Sequence, residues 1–363
     1  MRKDRIESLD HLRGLMALSV MSYHYASWTF GALPSSALLG RLGIYAVSIF
    51  YVLSGLSLSL VYSGRVHGLR DVTGFVVKRV FRIFPLFYLV VTLSLLLMWL
   101  SSVRHGVAFA VPWRTVALNY TLLFGFVDPT AYLSTGAWSI GNEMVFYAIF
   151  PFLLLLTSRW RLVLPLVWLI AVAVEVYFAY VLLTPSRSLE AQWPLYINPF
   201  NQFFLFVSGV VVGCYLRPSE EQPRRWVAAA VAMAALMVFS LWPSQPNSAT
   251  IATGSARLIL SAACVTFVAC VFVGNESLRG RAARMLAFLG EGCYSIYLLH
   301  PLVAVPFVLI AAKAGLGVGF AYCLAFVATL VLSGLTFRYL ESPLIRIGKR
   351  VSARESRALP VAS

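Results

Sequence analysis

Ile83-Phe-Pro-Leu-Phe-Tyr-Leu-Val-Val-Thr-Leu-Ser-Leu-Leu-Leu-Met-Trp-Leu-Ser101 is a run of 19 residues without a charged side chain. At ~1.5 Å per residue, a helix of this length spans about 28 Å, close to the ~30 Å hydrocarbon core of a bilayer. Lys78, Arg79 and Arg82 precede the run and Arg104 follows it, as expected of a segment whose ends stop at an interface. Comparable runs recur along all 363 residues, with spans expected at 10–29, 41–61, 83–101, 137–156, 162–182, 200–216, 226–242, 254–274, 286–310 and 319–340. The chain is 60% hydrophobic and 12% charged, about half the charge of a soluble protein, and its mean hydropathy is +0.81. So much apolar surface is solvated by lipid rather than packed into one core. The expected fold is all-α, a polytopic membrane protein with about ten transmembrane helices.

The net charge of +15 does not point to nucleic acid, because the basic residues are dispersed in short loops between apolar runs. With these spans, six of them (Arg41, Arg104, Arg114, Arg187, Arg257 and Lys313) fall on one side and twenty-three on the other. That bias places both termini in the cytoplasm. Trp113, Trp138, Trp193 and Trp242 gather at the opposite ends, where amphipathic rings settle. The longest outer loops are expected at 102–136 and 183–199. The opening Met-Arg-Lys-Asp-Arg and the stretch holding Arg13 and His24 read as a retained first helix rather than a cleaved leader. A transmembrane domain over 1–345 is followed by a polar tail, 346–363, expected to be disordered. The five cysteines show no paired spacing, so no disulfide or zinc site is expected. The absence of an internal repeat disfavours inverted-repeat transporter folds.

Titratable side chains at membrane depth are functional candidates by default. The spans place His24, Glu143, Glu175 and His300 inside the bilayer. Counted from the cytoplasmic edge, His24 and His300 lie about 21 Å deep, Glu143 about 21 Å and Glu175 about 20 Å. Four groups from four helices thus reach one level. A buried Glu is either protonated or paired, and His24 is the partner expected for Glu143. Glu175 reads as a protonated, hydrogen-bonded residue with no assigned role. His300, ahead of Pro301, reads equally as a packing residue bonded to a carbonyl that the proline frees.

Arg13 lies eleven residues before His24, about 16 Å away along the axis, and Asp10, three residues earlier, can pair with it. Arg79 and Arg82, at i and i+3, present two guanidinium forks suited to phosphate. Each arginine reads equally as a membrane-interface anchor. Function is favoured by a phosphate-suited edge combined with a histidine roughly one pantetheine length deeper.

Several stretches resemble the acyltransferase-3 family of integral-membrane acyltransferases. Ser8-Leu-Asp-His-Leu-Arg-Gly14 with His24 is similar to its arginine, ten residues, histidine pattern. Phe50-Tyr-Val-Leu-Ser-Gly-Leu56 resembles its Ser-Gly-Phe motif, with Leu56 in place of Phe. Arg79-Val-Phe-Arg-Ile-Phe-Pro85, Trp138-Ser-Ile-Gly-Asn-Glu143, Tyr294-Ser-Ile-Tyr-Leu-Leu-His-Pro301 and Glu341-Ser-Pro343 complete the pattern in order. Glu175 matches no motif of the family.

The resemblance implies O-acyl transfer, usually of acetyl from acetyl-CoA, to a hydroxyl of a saccharide or another small acceptor. His24 and Glu143 are then the catalytic pair, and Arg13, Arg79, Arg82 and Ser54 the donor-binding residues. Trp138, Ser139, Tyr297, His300 and Asp10 are acceptor-side or supporting residues. No metal or permanent cofactor is expected, and acyl-CoA is a co-substrate. A cell-surface saccharide or its lipid-linked precursor is the expected acceptor, and a bacterial inner membrane the expected location. The competing class is a transporter or flippase whose His and Glu relay protons, which leaves the paired arginines unexplained. Acceptor, acyl chain length, direct transfer versus an acyl-histidine intermediate, and oligomeric state are not fixed by the sequence.

Overall fold

The computed structural model describes residues 6–275 and 278–358. The N-terminal Arg2, Lys3 and Arg5 and the end of the tail, 359–363, lie outside the described residues. Every regular element among those described is helical. They are α1 (Glu7–Phe30), α2 (Leu38–Tyr62), α3 (Leu69–His105), the short α4 (Trp113–Tyr120) and α5 (Phe124–Val127), then α6 (Trp138–Arg159) and α7 (Val163–Tyr177). A short α8 (Trp193–Tyr196) leads into α9 (Pro199–Tyr215), followed by α10 (Gln222–Leu241), α11 (Gly254–Gly274), α12 (Gly280–Glu291), α13 (Cys293–Lys313), α14 (Val318–Thr336) and α15 (Ser342–Ala358).

Among the described residues, eight helices are long and apolar enough to cross a membrane, nine if the bent unit of α8 and α9 counts as one span. The chain is therefore an all-α polytopic membrane protein. The remaining expected span, α1, has 24 residues but carries Glu7 and Asp10 in its first turn and Arg13 further on, which lowers its apolar character. The corner into α9 bends by 54°. There Pro199 needs no N–H partner and the Asn198 side chain accepts from the Phe200 N–H at 2.9 Å. π-helical turns at Phe178–Leu182 and Phe337–Glu341 end α7 and α14.

Three expectations are corrected. The third span is a helix of 37 residues beginning at Leu69 rather than 83. Its start is capped by Asp71, whose carboxylate accepts from the His67 N–H at 2.8 Å and the Gly68 N–H at 3.2 Å. Residues 346–358 are helical within α15, where an irregular tail was expected. Arg41 and Arg257 are not in outer loops: both are helical and buried, 2% and 0% exposed. Arg41 is accommodated because its guanidinium donates to the carbonyls of Ser35 (2.7 Å) and Phe239 (2.5 Å), to that of Trp242, and to Ser244 Oγ (2.9 Å). The carbonyls of Phe239 and Trp242 lie at the C-terminal end of α10, where the last carbonyls have no partner within the helix.

The chain divides into two compact halves, each made of separated segments: Met1–Ser63 with Trp160–Cys293, and Gly64–Arg159 with Tyr294–Ser363. In the first half, α2 and α9 meet through small residues. A Cβ on Gly55 would strike the Phe206 carbonyl oxygen, and one on Gly209 the Val52 carbonyl oxygen. α1 meets α12 the same way, Gly14 lying on Leu289 and Gly290. In membranes such close backbone approach substitutes for the missing hydrophobic drive. In the second half, α15 lies along α3, with Gly348 against Phe81 and Ser352 against Gly74. In the loop ahead of α6, Thr130 and then Arg114 hold the Asp128 carboxyl below its ordinary range by hydrogen bonding and charge.

Candidate active site

In the first half, α1 carries Asp10, Arg13 and His24. Asp10 Oδ1 accepts from Arg13 Nη1 at 2.7 Å, one turn along the same helix. Arg13 Nη2 crosses to α2, donating to the Leu53 carbonyl at 3.2 Å and to Ser57 Oγ. The guanidinium is thus fixed on two helices, yet the Arg13 side chain keeps 18% exposure. His24 is half-buried. Its ring stacks on Trp28, centroids 5.3 Å apart at 7°, and lies tilted 5.6 Å from Tyr23. The Tyr23 ring covers Gly43 of α2, where a Cβ would collide with it, so the C-terminal part of α1 is also seated on α2. Ser54 is half-buried, one residue from Leu53. Its neighbour Gly55 is used for helix packing.

Glu175 is not a lone acid. It is 1% exposed, and Arg257, 0% exposed, donates from Nε to Glu175 Oε1 at 3.0 Å. Ser261 Oγ donates to the same oxygen at 2.9 Å. Arg257 Nη2 lies 3.3 Å from both the Asn201 carbonyl and Gln202 Oε1, and the rings of Tyr45 and Tyr196 flank the guanidinium carbon at 5.8 Å each. The protonated reading of Glu175 is therefore replaced by an ion pair between α7 and α11. The sequence supplied the acid, but its partner was assigned to a loop because arginine near a span end signals an interface.

The second half holds the other candidates. On α3, Arg79 is half-buried with its guanidinium carbon 5.8 Å from the ring centroids of Phe75 and Tyr147, and Arg82 is exposed. Next to them, Tyr294 of α13 donates to the Ile83 carbonyl at 2.9 Å, and Ser295 donates to Glu341 at the end of the π turn. Glu341, 5% exposed, appeared in the sequence only as a motif residue. Here it anchors α13.

The start of α6 forms a tighter arrangement. Gly136 turns at φ 80°, a conformation that suits glycine, and its carbonyl accepts from Ser139 Oγ at 3.0 Å and from Tyr297 OH at 2.9 Å. Ser139 Oγ and Tyr297 OH are themselves 2.9 Å apart. Trp138 is 6% exposed, so its ring is packed at the head of α6. His300, 0% exposed, places Nδ1 3.1 Å from the Ile296 carbonyl of its own helix and faces Tyr297 edge-on at 6.4 Å. Since a carbonyl only accepts, Nδ1 carries the proton. Glu143 is half-buried and lies on the same helix as Ser139, one turn further on.

Asp10, Arg13, Ser54 and His24 thus belong to the first half, and Arg79, Arg82, Trp138, Ser139, Glu143, Tyr297 and His300 to the second. Charged and titratable groups are built into spanning helices and held by specific partners, which defines a membrane protein with polar chemistry inside its bundle. The profile of the acyltransferase family 3, described as an acyltransferase domain, matches residues 6–338, and the chain belongs to that family. It is 27% identical to the exopolysaccharide production protein ExoZ of Rhizobium meliloti, over 86% of this chain and 93% of the relative. It is 29% identical to the acyltransferase MdmB of Streptomyces mycarofaciens, over 82% of this chain and 79% of the relative. It is 28% identical to BcsY of Komagataeibacter xylinus, named as a candidate membrane-bound transacylase, over 82% and 72%. No solved structure matches.

Proposed function

We propose that this acyltransferase moves an acetyl or short acyl group from cytoplasmic acyl-CoA to a hydroxyl of a cell-surface saccharide or its lipid-linked precursor. In this reading both termini are cytoplasmic and the membrane is a bacterial inner membrane. The observation that carries it is Arg13: a guanidinium locked to α2 yet still partly exposed, on the same helix as His24. Their separation along α1, about 16 Å, is close to the reach of a pantetheine arm. Arg79 and Arg82 add forks suited to phosphate, and Ser54 a hydroxyl for the thioester oxygen. Exopolysaccharide production in the ExoZ name supports a saccharide acceptor.

His24 acts as general base, a role worth about 10²–10⁴-fold. It takes the proton of the acceptor hydroxyl while that oxygen attacks the thioester carbonyl. The C–S bond then breaks, and the coenzyme A thiolate leaves and collects the proton from the imidazolium. Glu143 is the second residue on which transfer depends. The Ser139–Tyr297 pair, Trp138 and His300 shape the acceptor side.

The test is transfer of labelled acetyl from acetyl-CoA by purified protein, in the presence of membrane glycolipids. His24→Ala is expected to lose about 10²–10⁴-fold in turnover while donor binding persists. Comparing it with Glu143→Ala and the double variant decides whether the two residues act as a unit. A wild-type protein that neither hydrolyses nor transfers acetyl, but moves a lipid-linked sugar across vesicles, would overturn the reading in favour of transport.

A further inference from the structure

The charged node of the first half, where α2, α7, α9 and α11 meet, has polar capacity that the protein itself does not use. Arg257 spends Nε on Glu175 and Nη2 on Asn201 and Gln202, while its Nη1 finds no partner among the described residues. Glu175 accepts twice at Oε1 and leaves Oε2 unpaired. Asn201 commits its NH2 to the Tyr196 carbonyl at 2.8 Å and leaves Oδ1 unpaired. The three residues are 0%, 1% and 1% exposed, so bulk solvent does not satisfy them.

One donor and two acceptors in a single node specify the ligand. Glu175 disfavours an anion there and Arg257 a cation. A small neutral group that both donates and accepts, and so can serve each of the three atoms, is water. Leaving three buried polar atoms unpaired costs more than immobilising a water molecule, and buried waters commonly make about three hydrogen bonds. We propose that this node is an internal hydration site, in which ordered waters accept from Arg257 Nη1 and donate to Glu175 Oε2 and to Asn201 Oδ1. The site is independent of the acyl-transfer reading. It also explains how a fully buried guanidinium keeps its donors occupied with only one carboxylate beside it.

Millisecond X-ray radiolysis of the intact protein in detergent tests this, because ordered water generates hydroxyl radicals that label adjacent rings. Tyr45 and Tyr196 flank Arg257 at 0% and 2% exposure, and Tyr51, at 1%, lies outside the node. Tyr45 or Tyr196 is expected to be labelled several-fold faster than Tyr51. After transfer into H₂¹⁸O, the heavy oxygen should appear there more slowly than at Tyr180, which is 57% exposed. Asn201→Leu, which removes an acceptor and fills space, should reduce the labelling. Equal labelling of the node tyrosines and Tyr51, or labelling unchanged in Asn201→Leu, overturns the proposal. If that variant does not fold, the wild-type comparison with Tyr51 decides alone.

Discussion

Arg13 and Arg257 each close an ion pair within the helices of one half, yet they differ in how far they are withdrawn from solvent. Arg13 pairs with an acid on its own helix, reaches one neighbouring helix, and stays 18% exposed. Arg257 pairs with an acid on another helix, is sandwiched by two tyrosines, and is fully buried. A partly solvated fork can exchange its partners for a ligand at less cost than a buried one, since water takes up the hydrogen bonds it releases. A desolvated pair cannot, because removing either member strands a charge. Burial, not residue type, separates an arginine that can release its partners from one that cannot.

The comparison is broken most readily at Arg257. Arg257→Ala should destabilise the protein by about 3–5 kcal/mol by stranding Glu175, measured by denaturant unfolding in detergent. The double swap Glu175→Leu with Arg257→Met should recover most of that loss. An Arg257→Ala protein of unchanged stability would remove the distinction. A smaller effect is expected at Gly55, between the two residues that hold Arg13. Gly55→Val pushes a side chain into the Phe206 carbonyl and should cost about 1–3 kcal/mol through overpacking. Its secondary effect on the Leu53 and Ser57 contacts should appear as weaker donor binding. The smallest change in stability is expected at Arg13. Arg13→Gln should leave unfolding within ~1 kcal/mol of wild type while raising the donor KM about tenfold, equivalent to ~1.4 kcal/mol of binding. A variant that loses stability but not donor affinity would make Arg13 structural as well.

The apolar runs made the spanning helices legible, because membrane length and backbone satisfaction leave a helix as the only simple solution. What was not legible follows from the same rule applied to charge. Lys78, Arg79 and Arg82 end a hydropathic run, but they do not end a helix, so the first turns of α3 were read as a loop. Arg41 and Arg257 were read as interface residues because their partners are carbonyls and a carboxylate distant in sequence, at 239, 242 and 175. The boundary between α12 and α13 was merged into one span, since Gly292 breaks the helix without interrupting the apolar pattern. For the candidate site, Arg13 with Asp10 was foreseen from helical spacing, and Ser139 with Tyr297 only as separate residues. Glu341 had no visible role, because its hydrogen bond from Ser295 joins residues 46 positions apart.

The length of α3 carries a consequence of its own. Thirty-seven residues make a rod of about 55 Å, roughly 25 Å longer than the hydrocarbon it crosses. With its apolar stretch centred on the lipid, residues 69–82 project as a ledge into the headgroup zone and the water beyond, buttressed by α15. Arg79 and Arg82 sit where that ledge meets the bilayer. If Arg79 and Arg82 hold the donor as proposed, a polyanionic molecule is grasped while it is still hydrated, before any part of it is committed to the greasy interior.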